Sequence, residues 1–160
     1  MKIVAIYGSD RKKGFSSLGV DYAVAQFKNS VNEIKKYRLS DMNFGGCKGC
    51  FACRLKEGCV QQDDMTELFG DIISSDFVIF SSPVYCFSLC GNYMKMFERL
   101  YPMLDGNKGA AGVRKRAESN YRHNGFIHLG TVVIDGTYTR KERCLEKREK
   151  QKIKKICNKP

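Results

Sequence analysis

Short apolar runs along the chain predict the strands of a buried parallel sheet. "KIVAIY" (residues 2–7) ends abruptly at a Gly-Ser pair, and "DFVIFSS" (76–82) ends at a proline. Continuous apolar runs of this length, closed by turn-forming residues, are typical of strands covered on both faces. "NEIKKYRL" (32–39) is more polar and predicts a further strand in a less buried position.

Apolar residues at helical spacing fill the intervals between these strands. The first helix is expected over residues 16–30, with Ser16 or Ser17 as its N-cap. A second is expected to follow two acidic residues, which suit the positive end of a helix, and to reach about residue 73. A third should begin after "PVYCFS" and end near residue 102. The apolar faces are Val20, Val24, Phe27 and Val31 in the first helix, and Leu89, Tyr93, Met96, Phe97 and Leu100 in the third.

The resulting order, β-α-β-loop-α-β-α, predicts an α/β fold with a doubly wound parallel sheet. "NKGAAGV" and "GFIHLGTVVI" (125–134) are candidates for a fourth and a fifth strand. Residues 140–157 could form a helix, although Leu145 and Ile153 leave it little apolar surface to bury. We therefore expect one domain over residues 1–136, followed by a basic C-terminal tail over 137–160.

Charge is concentrated in the last third of the chain. Residues 1–106 hold 13 Lys and Arg against 12 Asp and Glu, whereas residues 107–160 hold 15 against 5. A basic tail could bind nucleic acid, but no recognised nucleic-acid motif accompanies it, so we do not expect that partner. The apolar runs are too short for a membrane span or a signal peptide, which predicts a cytoplasmic protein without a membrane partner.

Two loops at predicted strand ends carry candidate ligand chemistry. In an open α/β sheet, ligands bind beyond the carboxyl ends of the strands. "GSDRKKGFSS" offers hydroxyls and cations at a helix N-terminus, which suits a phosphate, although a solvated polar turn would have the same composition. "SPVYCFSL" places Tyr85 and Phe87 beside Pro83 and Ser88, which suits a flat ring, although the two aromatic residues could equally be core.

Four of the eight cysteines lie within thirteen positions, in "CKGCFACRLKEGC". Cys47, Cys50, Cys53 and Cys59 are too close in sequence to make good disulfide partners. Structural zinc sites usually combine two separated C-x-x-C pairs, whereas consecutive C-x-x-C steps let one loop wrap an iron–sulfur cluster. The spacing thus favours a four-iron cluster over zinc or no metal. Elsewhere, Cys86 and Cys90 are expected to pack as small apolar residues near the third strand.

These motifs together resemble the iron–sulfur flavoprotein branch of the flavodoxin-like NAD(P)H-dependent FMN reductase family. The cysteine pattern is similar to that branch's cluster motif, and "GSDRKKGFSS" to the family's FMN phosphate loop, with Asp10 and Phe15 departing from the usual residues. "SPVYCFSLCGNYMKMFERL" is similar to its flavin-ring loop and following helix. The segment 107–124 is divergent or shortened against the family pattern.

The resemblance implies a flavodoxin-like fold and two cofactors, a [4Fe-4S] cluster and FMN. The implied metal ligands are Cys47, Cys50, Cys53 and Cys59, and the implied FMN contacts are Ser9, Arg11, Ser16, Ser17, Pro83, Val84, Tyr85 and Ser88. No residue stands out as a catalytic acid or base.

The resemblance also implies a role and partners. Electrons would pass between the cluster and FMN, from ferredoxin or a similar reductant to a small acceptor such as dioxygen or peroxide. The assembly would be a homo-oligomer, a dimer or a tetramer. The alternative is an NAD(P)H-dependent flavin or quinone reductase without an iron–sulfur cluster.

Overall fold

A three-stranded parallel sheet forms the centre of the fold, with strand order β2-β1-β3. The computed structural model describes residues 1–27, 33–56, 58–103 and 144–158. Strands β1 (Lys2–Tyr7), β2 (Glu33–Arg38) and β3 (Phe77–Ser81) match the three predicted runs. β1 lies between the other two and is almost wholly buried, which explains why its sequence is continuously apolar.

Helices cover both faces of this sheet, as a doubly wound fold requires. Ala5 and Tyr7 of β1 pack against Val20 and Val24 of α1 (Phe15–Gln26). Val4 and Ile6 point to the opposite face, where α2 (Met65–Ile73) and α3 (Gly91–Glu98) supply the apolar partners. Alternating residues of one strand thus serve two cores, because successive side chains in a strand point to opposite faces.

Two predicted helix starts are wrong. α1 has Gly14 as its N-cap, so Ser16 and Ser17 lie inside the first turn. α3 begins at Gly91, and Leu89 belongs instead to a hairpin of two short antiparallel strands, β4 (Val84–Tyr85) and β5 (Ser88–Leu89). Of the apolar face predicted for the first helix, Val20, Val24 and Phe27 are buried as expected. Val31 lies outside the described residues.

The C-terminal helix has the small apolar surface that the pattern predicts, and this surface is nevertheless buried. α4 (Lys147–Cys157) packs on α1, and Leu145 and Ile153 are both buried beside Ala23. Two apolar residues suffice because Leu18 and Tyr22 of α1 and Ile79 of β3 complete the cluster. The predicted fourth and fifth strands, the divergent segment 107–124 and the boundary at 136 lie outside the described residues.

An ionic cluster fastens the edge strand β2 to α2. The buried Asp71 carboxylate accepts hydrogen bonds from Tyr37 and Lys2 and forms an ion pair with Lys35 at 3.0 Å. Burial alone would raise the pKa of Asp71, but these donors outweigh it and lower the pKa to about 2. Among the described residues, no helix is long and apolar enough to cross a membrane.

Candidate functional site

The carboxyl ends of β1 and β3 open onto a cleft of about 240 Å³. This is the edge of the sheet where an open α/β fold binds its ligands. Residues from the two predicted ligand loops and from the start of α3 line the cleft: Gly8, Asp10, Pro83, Tyr85, Cys90, Gly91 and Asn92. The tertiary structure therefore brings together two loops that are about 75 positions apart in the sequence.

Gly8 lets the two strand ends approach each other at the base of this cleft. Its N–H donates to the Ser81 carbonyl at 2.8 Å. A Cβ at this position would lie 2.6 Å from that carbonyl oxygen and 3.2 Å from the Cys90 sulfur. Only glycine fits without moving backbone, so the absence of a side chain here shapes the cleft.

The predicted phosphate loop is folded by its own hydroxyl groups. Ser9 is buried and its Oγ accepts a hydrogen bond from the Arg11 N–H at 3.2 Å. Ser17 is also buried, and its Oγ donates to the Arg11 carbonyl at 2.9 Å. Arg11 itself is exposed and Ser16 is half-buried. The two buried serines thus hold the loop in shape, while Arg11 and Ser16 remain accessible at the start of α1.

Arg38, at the end of β2, contacts this loop, and sequence reasoning missed it. Its guanidinium donates to the Ser9 carbonyl at 2.5 Å and to the Ser17 Oγ at 3.2 Å, and it lies 4.8 Å from the centre of the Tyr7 ring. A positive charge behind a loop at a helix N-terminus favours an anion there. The one feature of the sequence that could have indicated this contact is that Arg38 ends the strand predicted to lie beside β1.

The predicted ring-binding loop is the β4–β5 hairpin. Val84, Tyr85 and Ser88 are exposed and Pro83 is half-buried, so the alternative that the aromatic residues are core is not supported. Cys86 is exposed, so the prediction that it packs as a small apolar residue is wrong, whereas Cys90 is buried as expected. The turn residues Cys86 and Phe87 have φ of 47° and 60°, and the Phe87 side chain is fully exposed.

Ser82, also missed from sequence, fixes this hairpin to α3. Its Oγ accepts from the Cys90 N–H at 3.0 Å and donates to the Pro83 carbonyl at 2.8 Å. The cleft, its glycine base and the cation behind the loop suit a ligand that combines a phosphate with a flat ring. The residues present therefore fit FMN.

The cysteine loop follows β2 and returns to α2. Cys47 and Cys50 are exposed, Cys53 and Cys59 are partly buried, and none of the eight cysteines forms a disulfide. The backbone turns through left-handed conformations at Gly49, Phe51 and Gly58. The Gly49 N–H donates to the Cys47 sulfur at 3.4 Å.

The four thiols share one neighbourhood. The pKa of Cys53 is raised, first by burial and then by the charges of Cys59, Cys47 and Cys50. Within the described ranges, no three His, Cys, Asp or Glu side chains are already gathered around a single metal-ion position. Four thiols on one glycine-containing loop, with a backbone N–H directed at a sulfur, are a donor set that fits an iron–sulfur cluster. Metal binding would supply the free energy that closes the loop.

Two arginines attach this loop to the end of α3. The exposed Arg54 donates to the Tyr101 hydroxyl at 2.8 Å and lies 4.6 Å from the centre of the Phe51 ring. Arg99 is buried and pairs with Asp63, whose pKa the guanidinium lowers through this hydrogen bond. For Arg99, burial opposes the charge, but the bond to Asp63 and the negative charge of Cys59 outweigh it and raise the pKa.

α3 connects the two sites. Cys90 and Gly91, where the helix begins, line the cleft, and Arg99, which follows its last residue, holds the cysteine loop. Eight helical residues at about 1.5 Å each span about 12 Å. The cleft and the loop are therefore neighbours at opposite ends of one short helix.

The chain is similar to FMN reductases and to proteins named iron-sulfur flavoproteins. The family model of the NADPH-dependent FMN reductases matches residues 1–142. An iron-sulfur flavoprotein of Archaeoglobus fulgidus is 39% identical over 102 residues, which cover 64% of this chain and 46% of that protein. An iron-sulfur flavoprotein of Clostridioides difficile is 35% identical over 108 residues, covering 66% and 48%. One of Methanocaldococcus jannaschii is 32% identical over 108 residues, covering 67% and 54%.

Among solved structures, a flavone reductase superposes with a TM-score of 0.51 at 20% identity, over 66% of this chain and 31% of that one, and supports the fold alone. The chain spans about half the length of the curated relatives it matches. Because the family model covers most of the chain and the flavodoxin-like sheet carries the cleft at its expected edge, the protein belongs to the NADPH-dependent FMN reductase family.

Proposed function

We propose that the protein is an iron–sulfur flavoprotein, a redox protein that passes electrons between a [4Fe-4S] cluster on the cysteine loop and FMN in the cleft. One observation carries the proposal: a single helix of eight residues begins at the cleft and ends at the arginine that holds the cysteine loop. The names of the curated relatives support the same pair of cofactors.

The two cofactors would supply complementary chemistry, since the cluster takes one electron at a time whereas FMN holds one or two. The chain's own residues bind and orient them. Arg38 and the N-terminus of α1 hold negative charge at the phosphate loop, Gly8 keeps the cleft base open, and the Cys47–Cys59 loop supplies thiolates. Electron transfer between two bound cofactors needs no catalytic acid or base from the chain.

The test is cofactor analysis after anaerobic purification. We expect about four irons and four sulfides per chain, the content of a [4Fe-4S] cluster, together with about one FMN. Cys53→Ser should lose most of the iron and keep FMN, whereas the control Cys144→Ser, outside the loop, should keep both. Flavin without iron in the wild-type protein would contradict the cluster and favour an NAD(P)H-dependent flavin or quinone reductase, the alternative that the family's name supports.

Ferredoxin or a similar carrier is the proposed electron donor. Support comes from α4, whose exposed surface carries a dense set of cations that would attract an acidic protein. They are Lys147, Arg148, Lys150, Lys152, Lys154 and Lys155. We expect the rate of reduction by ferredoxin to fall steeply with ionic strength. A rate that does not depend on salt would contradict docking at α4.

The proposed acceptor is a small oxidant such as dioxygen or peroxide. Two electrons from two ferredoxins and two protons would convert dioxygen to hydrogen peroxide, and two more of each would convert peroxide to water. The open cleft above Gly8 supports access by a small molecule. Oxygen uptake and peroxide formation in the presence of reduced ferredoxin test this acceptor, and no uptake would exclude dioxygen.

A homo-oligomer, a dimer or a tetramer, is the proposed assembly. Its support is the exposed apolar surface of the hairpin, where Val84, Tyr85 and Phe87 project into solvent. Phe87→Ser should shift the sedimentation coefficient toward that of a monomer. A wild-type protein that sediments as a monomer at all concentrations would refute the proposed assembly.

A further inference from the structure

Arg99 joins the two ends of the cysteine loop at one buried point. Its side chain is 1% exposed. One terminal nitrogen donates to the Gly45 carbonyl at 3.1 Å and to Asp63 at 2.8 Å. The other donates to Asp63 at 3.0 Å and to the Gln61 carbonyl at 3.4 Å. Gly45 lies two residues before the first loop cysteine and Gln61 two residues after the last, so one guanidinium fixes the span of the loop.

The remaining donor of this guanidinium, the Nε–H, has no acceptor within hydrogen-bond distance among the described residues. The Nε atom is also buried. A buried N–H without an acceptor is costly and uncommon in native proteins, so an unpaired one at a functional site calls for an explanation. Cys59 lies two residues before Gln61, whose carbonyl Arg99 holds, and it packs against the buried cluster that contains Leu100, the neighbour of Arg99 in the sequence. A thiolate sulfur bound to metal is an acceptor for such a donor.

We propose that Arg99 is a positioning residue of the cluster, whose Nε–H donates a hydrogen bond to the Cys59 sulfur when the loop carries its cluster. The inference rests on the proposed function, since it requires the cluster. Arg99 holds the loop ends and Cys59 from one rigid planar group. A hydrogen bond to a ligating sulfur draws electron density from it and makes the cluster easier to reduce.

The ion pair with Asp63 makes this role separable from a purely structural one. Asp63 cancels the charge of Arg99, so the wild-type effect on the cluster comes from the directed hydrogen bond. Arg99→Lys keeps the positive charge but has no planar fork and cannot reach all of these acceptors. Asp63→Asn keeps the Nε donor and leaves the positive charge beside Cys59 uncompensated. The two variants should therefore move the cluster potential in opposite directions.

The experiment is an anaerobic redox titration of the purified protein, followed by electron paramagnetic resonance. For Arg99→Lys we expect the ratio of reduced to oxidised cluster at a fixed potential to fall about tenfold, which is 59 mV for a one-electron couple. Asp63→Asn should raise that ratio. The control Lys36→Gln, at an exposed cation of β2, should leave it within about twofold, because the charge of an exposed side chain is screened by solvent. Shifts of the same sign in both buried variants, or no shift in Arg99→Lys, would overturn the proposal.

A second measurement uses wild-type protein and does not depend on the variants folding. With arginine side chains labelled by nitrogen-15, the reduced cluster should show a hyperfine coupling to one arginine nitrogen, retained in Arg54→Lys. Absence of that coupling in a wild-type protein that contains iron would overturn this inference alone. Absence of iron from the wild-type protein would overturn the proposed function and this inference together.

Discussion

Replacing Gly8 by alanine tests how closely the ends of β1 and β3 must approach to form the cleft. The new Cβ would lie 2.6 Å from the Ser81 carbonyl oxygen, and ordinary contact begins at 3.4 Å, so backbone must move by about 0.8 Å. Overpacking of this kind costs about 1–3 kcal/mol. Loss of the hydrogen bond from Gly8 N–H to the same carbonyl adds about 1 kcal/mol. We therefore expect the free energy of unfolding to fall by about 2–4 kcal/mol.

Urea unfolding measures this loss, and fluorescence titration with FMN measures its effect on the cleft. If the distortion of the loop weakens the free energy of FMN binding by about 1.4 kcal/mol, FMN affinity falls tenfold. Gly70→Ala is the matched control, because Gly70 lies in α2 with no atom within 4 Å of an added Cβ. That change should stabilise the protein by about 0.5–1 kcal/mol, since alanine is the better helix former. Equal unfolding midpoints for Gly8→Ala and wild type would refute the reasoning.

The other two predictions concern ionic and apolar contacts outside the cleft. Because the folded state lowers the pKa of Asp71 from 3.8 to about 2, its carboxylate adds stability above pH 4 that is lost as the pH falls toward 2. Asp71→Asn should therefore cost about 2 kcal/mol at pH 7 and flatten the acid limb of a urea-unfolding series, and an unchanged acid limb would count against it. Ile153→Ala should cost about 2–5 kcal/mol, because the side chain is buried between α4 and α1. The exposed Gln151→Ala is its control in thermal unfolding, and equal melting temperatures for the two would show that α4 does not depend on this contact.

The spacing of apolar residues predicted the strands and helices whose burial follows a regular period along the chain. The run at residues 2–7 is strand β1 because a strand covered on both faces must be apolar at every position. Val20 and Val24 lie on the buried face of α1 for the same reason, at helical period. The N-cap was misplaced because serine favours several positions near a helix start, and here Ser17 bonds within the loop instead.

The candidate cluster ligands could be predicted from the sequence because they lie close together along it. The arginines that hold the two candidate ligand loops in place could not be predicted. Spacing alone drew attention to the thiols at 47, 50, 53 and 59 because one loop carries all four. Arg99 is 36 positions from Asp63, and Arg38 is 29 from Ser9, so no periodic pattern links either pair. From the sequence alone, an arginine is expected to be an exposed surface charge, because its burial depends on the tertiary fold.

Short-range spacing and side-chain chemistry predicted the three strands of the parallel sheet, the helices between them, the glycine at the end of β1 and the cluster of four thiols, but not the β4–β5 hairpin. Three features depend on the tertiary structure: α3 lies between the cleft and the cysteine loop, α4 packs on α1, and Arg99 is buried with an Nε–H that has no acceptor among the described residues. These features could not be predicted, because the partner of a buried charge or of a helix face depends on which distant segments the sheet brings together.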